Sequence, residues 1–409
     1  MKKFIRGFSA FLAAGTFALL SLALVLQAKF PDVFQAAKGE EFILRTGLPL
    51  SAVRYTGEVL PISNPGQGEF YSMELRLFDR VPLKNIQVQS VPRKMVIPGG
   101  TPFGIKMFTK GVMVVGMTDI QIGSFGKNPA REAGIKVGDV LLSIGGIALN
   151  SNDDVKKIVS QSRGEALIVV LQRGDSTFEI SLVPVKTEYD NEYKAGIWVR
   201  DSSAGIGTMT FMDPANMTFA GLGHAVCDVD TGKLMPLSSG EIVAVNITGV
   251  TAGLSGKPGE LKGGFLDTRP IGRLEINSEV GIFGTLNTPF LQADPVPMAY
   301  KQEITAGPAT IRATISGSQP QEFDIVIERI NILDANSTKN MVIKVVDPDL
   351  LSTTGGIIQG MSGSPILQNG KLAGAVTHVF VNDPTHGYAV FAENMNSYLE
   401  FVESKRNAA

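Results

Sequence analysis

The hydrophobic pattern begins with one long apolar run and continues as short apolar segments broken by glycine and proline. Residues 7–28 carry no charge and follow three basic residues, Lys2, Lys3 and Arg6. That run is long enough to cross a membrane as a helix, with its basic N-terminal side in the cytoplasm. Because Leu26-Gln27-Ala28 is a poor cleavage site for a signal peptide, residues 1–28 are predicted to form an uncleaved signal anchor.

The pattern after the anchor is that of a mainly β protein. In residues 29–100, apolar and polar positions alternate, for example over residues 73–78, and this predicts a membrane-proximal β segment without an assigned task. Residues 188–409 alternate short apolar runs with glycine and proline and have few helical stretches, apart from a final helix near residues 393–403. Repeated short strands of this kind predict β-barrels. Residues 301–336 are not assigned to this pattern.

Residues 101–187 resemble a PDZ domain. Residues 129–146 have the order of helix, glycine turn and strand seen in bacterial PDZ domains, and a helix with an N-cap candidate begins near Asp153. Such domains bind an extended peptide as an added strand. The segment Gly104-Ile105-Lys106-Met107 resembles the carboxylate-binding loop and the start of the peptide-binding strand. The alternative is a domain that only packs against its neighbour.

One short segment carries the strongest chemical signal, Gly360-Met361-Ser362-Gly363-Ser364-Pro365. A serine nucleophile needs a tight glycine-rich turn that exposes its hydroxyl and aims backbone N–H groups at the developing oxyanion. The segment resembles the nucleophile loop of chymotrypsin-like proteases. It predicts Ser362 as nucleophile and the N–H groups of Gly360 and Ser362 as the oxyanion hole. The alternative is an ordinary glycine and serine turn between two strands.

The chain has only three histidines from which a general base can come. His224 follows an apolar run far upstream of Ser362, which gives the chymotrypsin-like order of base before nucleophile. His378 lies in an apolar strand just after the nucleophile loop. With Thr377 and Val379 it is predicted to form a wall of the substrate pocket. His386 fits a loop residue.

The acid that would orient His224 is the least defined member of the site. Asp347 follows an apolar strand and precedes the nucleophile loop, and it is the predicted acid. Asp349 is an alternative candidate for this acid. Asp228 and Asp230 are also candidates, although residues so close to His224 on one loop rarely reach the far ring nitrogen.

Composition narrows the remaining functions. The net charge of −2 and the lack of a basic block argue against a nucleic-acid partner. The single cysteine, Cys227, excludes an intramolecular disulfide. It is a weaker rival to Ser362, because it has no oxyanion turn. No Cys/His cluster suggests a metal site, and no cofactor is predicted.

Six segments together carry a family resemblance: residues 205–211, 221–226, 228–232, 256–263, 360–366 and 374–385, with Cys227 as a local difference. They resemble the stage IV sporulation protein B family, and the similarity spans roughly residue 100 to the C-terminus. The family comprises signalling serine peptidases of endospore-forming bacteria with a PDZ domain before a chymotrypsin-like domain. The resemblance implies His224 and Ser362 as catalytic residues and Asp347 as the acid.

The resemblance also implies where and on what the protein acts. The expected protein is anchored in the forespore membrane, facing the space between forespore and mother cell. It is expected to process itself and to cut a membrane-bound partner, so that an intramembrane protease can activate a sigma factor. Its PDZ domain would bind a peptide, possibly from its own chain. Two different functions stay open beside this one: a catalytically inactive scaffold, and a quality-control serine protease, in which the PDZ domain would follow the protease domain.

Overall fold

The structure is a computed structural model. It describes residues 2–54, 69–266, 269–289, 291, 293–334 and 338–407, with side chains from residue 11 to residue 404 except that of residue 19. Residues 55–68 of the predicted membrane-proximal segment and residues 335–336 of the unassigned segment therefore lie outside the described residues.

The N-terminal helix, α1 (Lys2–Lys29), is the candidate anchor. Its segment Phe11–Lys29 has a mean hydropathy of 2.0, and 6% of its most apolar window is buried inside the protein. By length and composition such a helix can cross a membrane, although a signal sequence meets the same criteria. Among the described helices it is the one that does so.

A four-stranded sheet follows the helix. Its strands are β1 (Val33–Ala37), β2 (Leu50–Arg54), β3 (Glu69–Leu77) and β4 (Val81–Val91). They lie in the order β1-β4-β3-β2, with β1 parallel to β4. The buried side chains Phe34, Leu75, Ile86 and Val88 share one hydrophobic core with the second barrel described below. The sheet is therefore packed on the rest of the protein.

The middle of the chain contains the PDZ unit and a first barrel. Its elements are β5 (Met95–Pro98), β6 (Pro102–Met117), β7 (Ile120–Ile122), β8 (Phe125–Lys127), α2 (Pro129–Glu132), β9 (Val140–Ile144), β10 (Ile147–Ala148), α3 (Asn152–Gln161), β11 (Leu167–Arg173), β12 (Ser176–Leu182), β13 (Val185–Lys186), β14 (Tyr193–Lys194), β15 (Ile197–Met212), β16 (Thr218–Gly221), β17 (Leu237–Thr251), β18 (Glu260–Phe265), β19 (Gly272–Ser278), β20 (Gly281–Leu286), β21 (Val296–Pro297) and a 3-10 turn at Lys301–Glu303.

The first barrel closes through the pairing of β6 with β15. The ring runs β6-β17-β19-β20-β16-β15 and returns to β6. Its interior is filled by large apolar side chains, among them Phe103, Met107, Phe219 and Ile282. Alternation of inward apolar and outward polar residues along each strand is what such a small barrel requires.

Two long strands of this barrel continue into the PDZ unit. Residues 102–109 of β6 pair with β15 and β17 inside the barrel, whereas residues 112–117 pair with β9 and with the beginning of β15. Residues 197–200 of β15 likewise belong to the PDZ side. The PDZ unit therefore runs from about residue 112 to residue 200, and the predicted boundaries at 101 and 187 do not separate the two units.

The predicted peptide-binding strand lies inside the barrel wall. Gly104, Ile105, Lys106 and Met107 are in the middle of β6 and pair with β15 on one side and β17 on the other. Ile105 is 4% exposed and Met107 is fully buried. A peptide can add only to a strand edge whose backbone groups are unpaired. The prediction that these four residues bind a peptide is therefore wrong.

The second barrel is formed by the C-terminal strands. Its elements are β22 (Gly307–Ala313), β23 (Gln321–Ile330), β24 (Met341–Val345), α4 (Pro348–Thr354), β25 (Pro365–Gln368), β26 (Lys371–Phe380), β27 (Asp383–Phe391) and the final helix α5 (Ala392–Asn407). The strands close in the order β22-β23-β24-β27-β26-β25. The unassigned segment thus supplies β22 and β23. The predicted fold, a double β-barrel preceded by a PDZ domain and an apolar helix, is confirmed.

Candidate active site

The turn that carries His224 ends strand β16. Leu222 and Gly223 both have left-handed backbones, with φ of 65° and 70°. A Cβ atom added at Gly223 would lie 3.0 Å from Cγ2 of Thr377, in the second barrel. Glycine at this position therefore serves the backbone conformation and the close approach of the two barrels. The turn places His224 where the first barrel contacts the second.

The nucleophile loop is shaped by two glycines of the same kind. Gly360 and Gly363 have φ of 96° and 95°. A Cβ atom at Gly363 would lie 2.0 Å from the carbonyl oxygen of Thr208 and 2.6 Å from the backbone nitrogen of Leu222. Because those are backbone atoms of the first barrel, no larger residue fits at Gly363. The loop is pressed directly against the turn that carries His224.

Thr208 in β15 connects the two loops. Its N–H donates to the carbonyl of Ser362 at 3.0 Å, and its hydroxyl donates to the carbonyl of Gly360 at 2.7 Å. Its own carbonyl accepts from the N–H of Leu222 at 3.2 Å. One buried residue therefore fixes the nucleophile loop relative to the histidine turn. The loops that carry the predicted base and nucleophile are therefore in direct contact.

The surroundings of Ser362 fit a nucleophile better than those of Ser364. The half-buried hydroxyl of Ser362 donates to the carbonyl of Thr377 at 2.8 Å. Ser364 is fully buried, and its hydroxyl has no partner in the described protein. Within the described residues, the N–H groups of Gly360 and Ser362 also donate to no protein acceptor. Both N–H groups therefore remain available to a bound oxyanion.

His224 is held as a neutral ring with one defined tautomer. Its Nδ1 lies 2.8 Å from the carbonyl oxygen of Ala225. Since a carbonyl can only accept, Nδ1 carries the proton and Nε2 is left as an acceptor. Burial lowers the pKa of His224 below its usual value, against the smaller opposite effect of the hydrogen bond to Ala225. The ring is therefore unprotonated at Nε2 near neutral pH.

Of the three predicted pocket residues, His378 lies against His224. The centroids of the two rings are 5.0 Å apart, at an interplanar angle of 37°. Burial lowers the pKa of His378 to about 4, with the charges of His224 and Lys339 acting in the same direction. Thr377 turns its hydroxyl to the carbonyl of Thr338 at 2.8 Å, and Val379 packs on the core of the second barrel.

The structure does not bring Asp347 to His224. Its carboxylate caps α4, accepting from the N–H groups of Asp349 and Leu350 at 3.0 and 2.9 Å. It also accepts from the N–H of Asp324 at 3.2 Å. Among the carboxylates that the structure describes, none pairs with His224. The role of orienting the ring falls to the carbonyl of Ala225.

The open strand edge of the PDZ unit lies at residues 197–199, which the sequence reasoning missed. Residues 197–199 pair with β6 on one side, and on the other side no described strand pairs with them. That free side faces α3 across a groove of about 930 Å³. Val155 and Val159 of α3 line it, together with Ile197 and Trp198. The signal in the sequence is a glycine, Gly196, immediately before an apolar strand. In the structure this glycine has a left-handed backbone with a φ of 78°.

Asn277 is a second residue that the sequence reasoning missed. Its side-chain oxygen accepts from the N–H of Val226 at 2.9 Å. Its amide group donates to the carbonyls of Val226 and Met235 at 2.9 and 3.0 Å. Asn277 thus fixes both sides of the loop that begins two residues after His224. No motif in the sequence marks this asparagine.

Comparison with known families gives two matches. A model described as SpoIVB peptidase S55 matches residues 191–396, and a PDZ domain model matches residues 127–173. The first match includes His224, Asp347 and Ser362. The second lies inside the PDZ unit seen in the structure.

Comparison with individual proteins gives partial similarities. Serine protease HTRA1 of Xenopus tropicalis is 39% identical over 61 residues, which are 15% of this chain and 13% of that protein. A protein of Clostridium acetobutylicum named as a zinc metalloprotease is 26% identical over 199 residues, 46% of this chain and 56% of its own length. The chain thus spans only part of each curated relative.

Two solved structures have low similarity. The PDZ domain of an SdrC-like protein from Listeria monocytogenes has a TM-score of 0.18 at 20% identity, over 22% of this chain and 87% of that one. The inactive form of the Rv3671c protease has a TM-score of 0.27 at 13% identity, over 48% of this chain and 83% of that one. The fold assignment rests on the strand pairing described above.

Proposed function

This chain belongs to the SpoIVB peptidase S55 family, and we propose that it is a membrane-tethered serine endopeptidase acting outside the cytoplasm. The observation that carries the proposal is the arrangement at the barrel junction. A partly exposed Ser362 lies on a glycine turn with two available N–H groups, and this turn contacts the turn of a neutral histidine whose Nε2 is free to accept.

The proposed reaction uses each of these groups once. The Ser362 hydroxyl turns from the Thr377 carbonyl to Nε2 of His224 and gives up its proton as its oxygen attacks the peptide carbonyl carbon. The N–H groups of Gly360 and Ser362 stabilise the oxyanion. His224 then protonates the leaving amine. A water molecule, deprotonated by His224, releases the acyl group and restores the serine.

The biological setting is part of the proposal. The family supports a role in sporulation signalling, in which the protein cleaves itself and then a membrane-bound regulator of an intramembrane protease. The apolar helix α1 supports anchoring in the forespore membrane, with both barrels in the space between forespore and mother cell.

The PDZ groove is proposed to choose the protein substrate. An extended peptide would add to residues 197–199, with its side chains against Val155 and Val159 of α3. The lining is mixed, but the side chains of Val155, Val159 and Ile197 within it favour a peptide with an apolar last residue.

A second candidate function is a catalytically inactive PDZ scaffold. The observation in its favour is that the Ser362 hydroxyl bonds to the Thr377 carbonyl, and that no described carboxylate supports His224. A fluorophosphonate probe separates the two functions. A peptidase would be labelled at Ser362 and would lose labelling in His224→Ala, whereas a scaffold would not react. Ser364→Ala serves as the control and should label like the wild type.

A separate experiment tests whether the peptide binds in this groove. In Ser362→Ala protein, Ser160→Phe would fill the groove from α3, and Lys157→Phe would place the same side chain on a residue of α3 outside the groove lining. Calorimetry with synthetic peptides should show binding lost in Ser160→Phe and kept in Lys157→Phe. Equal binding in both variants would place the peptide elsewhere.

A further inference from the structure

Arg200 joins the peptide groove to the loop after His224. It directly follows residues 197–199, the groove edge, in strand β15. Its guanidinium pairs with Asp228, and its Nη2 donates to Asp230 at 2.8 Å. The Asp228 side chain is fully buried, whereas that of Asp230 is 52% exposed. An ion pair with a fully buried partner is costly to break, because it leaves an unpaired charge inside the protein.

Asp228 shapes the loop to which Arg200 is attached. Its carboxylate accepts from the N–H groups of Asp230 and Thr231 at 3.1 and 2.9 Å, and its N–H donates to the carbonyl of Lys233 at 2.9 Å. Burial alone would raise the pKa of Asp228, but the hydrogen bonds from Thr231 and Arg200 outweigh it and lower that pKa. The carboxylate therefore stays charged and keeps Arg200 attached.

The same loop is fixed to the catalytic histidine at its other end. The N–H of Met235 donates to the carbonyl of Val226 at 3.1 Å, and Asn277 bonds to both residues. Val226 is two residues from His224. A shift of Asp228 relative to β15 would therefore act on the segment that positions the ring.

Asp201, the neighbour of Arg200, holds the other wall of the groove. Its Oδ2 accepts from the N–H of Asn152 at 2.8 Å, at the first residue of α3. Arg200 and Asp201 thus attach the groove strand to the His224 loop and to the groove helix at once. A peptide inserted between strand and helix contacts both elements that this pair holds.

We propose that Arg200 is a positioning residue, which transmits occupation of the PDZ groove to His224 and so raises kcat. The inference rests on the peptidase activity and the groove proposed above. A peptide that adds as a strand to residues 197–199 orders that edge, and the position of Arg200 becomes fixed with it. Arg200 then holds the Asp228 loop, and through it the ring of His224, in the orientation that receives the serine proton.

The kinetic test uses the full chain in detergent and a short reporter substrate that does not bind the groove. The groove probe is a synthetic peptide with an apolar last residue and a free carboxylate, selected for binding to Ser362→Ala protein. We expect the saturating probe to raise wild-type kcat about fivefold or more, the range of ordinary coupling between sites. KM for the reporter should stay unchanged, because the reporter does not use the groove.

In Arg200→Gln, the probe should still bind, but the ratio of kcat with and without it should fall towards one. Arg173→Gln is the matched control. Arg173 is 32% exposed and pairs with a 1% exposed Asp139, nearly the same as Arg200 and Asp228, but entirely within the PDZ unit. It should keep the full ratio. Asp230→Asn removes only the exposed partner, so it tests the link without risk to folding and should lower the ratio part of the way.

A second measurement does not depend on turnover. In Ser362→Ala protein, the three histidine rings can be followed by NMR during titration with the probe. The His224 signals should shift on saturation, and this shift should be absent when Arg200→Gln is added. His386, bonded to Asp383, is the internal reference.

The outcomes separate the two proposals. A wild type that neither labels with fluorophosphonate nor cleaves the reporter contradicts the proposed peptidase, whatever the NMR shows. An active wild type whose kcat and His224 NMR signals do not change when the probe binds would contradict the proposed role of Arg200. The same holds if Arg200→Gln responds as strongly as the wild type.

Discussion

The two barrels contribute to the site in different ways. The first barrel carries His224 and shares its two longest strands, β6 and β15, with the PDZ unit. The second barrel carries Ser362, and its six strands form one closed barrel, with a single bridge from Leu372 of β26 to Met298 outside it among the described residues. The proposed base therefore lies on a barrel that is continuous with the PDZ unit, and the proposed nucleophile lies on a barrel that closes on itself.

This difference indicates which of the two residues a bound peptide can affect. The Ser362 loop is fixed by glycines and by Thr208, contacts that exist whenever the barrels are docked. The His224 turn is fixed in addition by a loop that reaches the PDZ unit through Arg200. Regulation by a bound peptide is thus expected to act on the base, while the nucleophile stays in place.

The largest effect should come from the second barrel itself. Ser362→Ala removes the attacking oxygen and should lower kcat by about 10⁴-fold or more. Ser364→Ala deletes a buried hydroxyl that has no partner among the described residues and should keep turnover. Steady-state hydrolysis of a reporter peptide checks both variants. The assignment of the nucleophile is wrong if Ser364→Ala is the inactive variant.

The first barrel should contribute an effect of equal size. His224→Ala should be as inactive as Ser362→Ala, and the double variant should be no worse, because the two residues act as one unit. His378→Ala is the matched control 5.0 Å away and should lower kcat by no more than about tenfold. Activity retained in His224→Ala and lost in His378→Ala would transfer the base to the second barrel and remove the contrast between the barrels.

Substitutions of Asp347 distinguish its two candidate roles, a helix cap and the acid of a catalytic triad. Asparagine caps helices about as well as aspartate, whereas alanine costs about 1 kcal/mol. From its hydrogen bonds in the structure, Asp347→Asn should keep stability and most of the turnover, and Asp347→Ala should lower the free energy of unfolding by about that amount. Urea denaturation and kcat measure the two properties. A loss of several orders of magnitude in Asp347→Asn would restore the predicted acid and require α4 to move in the active state.

The pH dependence should give the smallest effect. A general base must be neutral, and burial holds the pKa of His224 below its ordinary value of about 6.5. kcat/KM should therefore rise with pH through a midpoint below about 6.5 and be level at neutral pH. A pH profile with the reporter peptide gives the midpoint. An acid limb centred above that value would mean that the ring is paired with a carboxylate.

Local turn chemistry explains why the turns that carry His224 and Ser362 were predictable. The glycines around both residues are needed for left-handed turns and for a close approach, so the sequence itself carries the signal. The double barrel and the PDZ unit were predictable for a similar reason, because strand alternation and the glycine turn at residues 134–138 are local patterns.

Long-range pairing explains the failures. Whether Gly104 to Met107 form an edge depends on β15 and β17, which lie about a hundred residues further along the chain. Asp347 looks the same in sequence whether it caps a helix or supports a histidine. The contacts of Asn277 and Arg200 are with residues distant in the sequence, and no local motif marks them, so neither residue could be singled out before the fold was known.

Helix α5 makes activity depend on the docking of the two barrels. It packs on β16 and β20 of the first barrel and on β26 and β27 of the second, and its side chains complete the core between them. His224 and Ser362 lie on different barrels, so a chain in which α5 has not folded lacks one of the contacts that hold the two residues in place. Peptidase activity should therefore begin only after α5 has packed on both barrels.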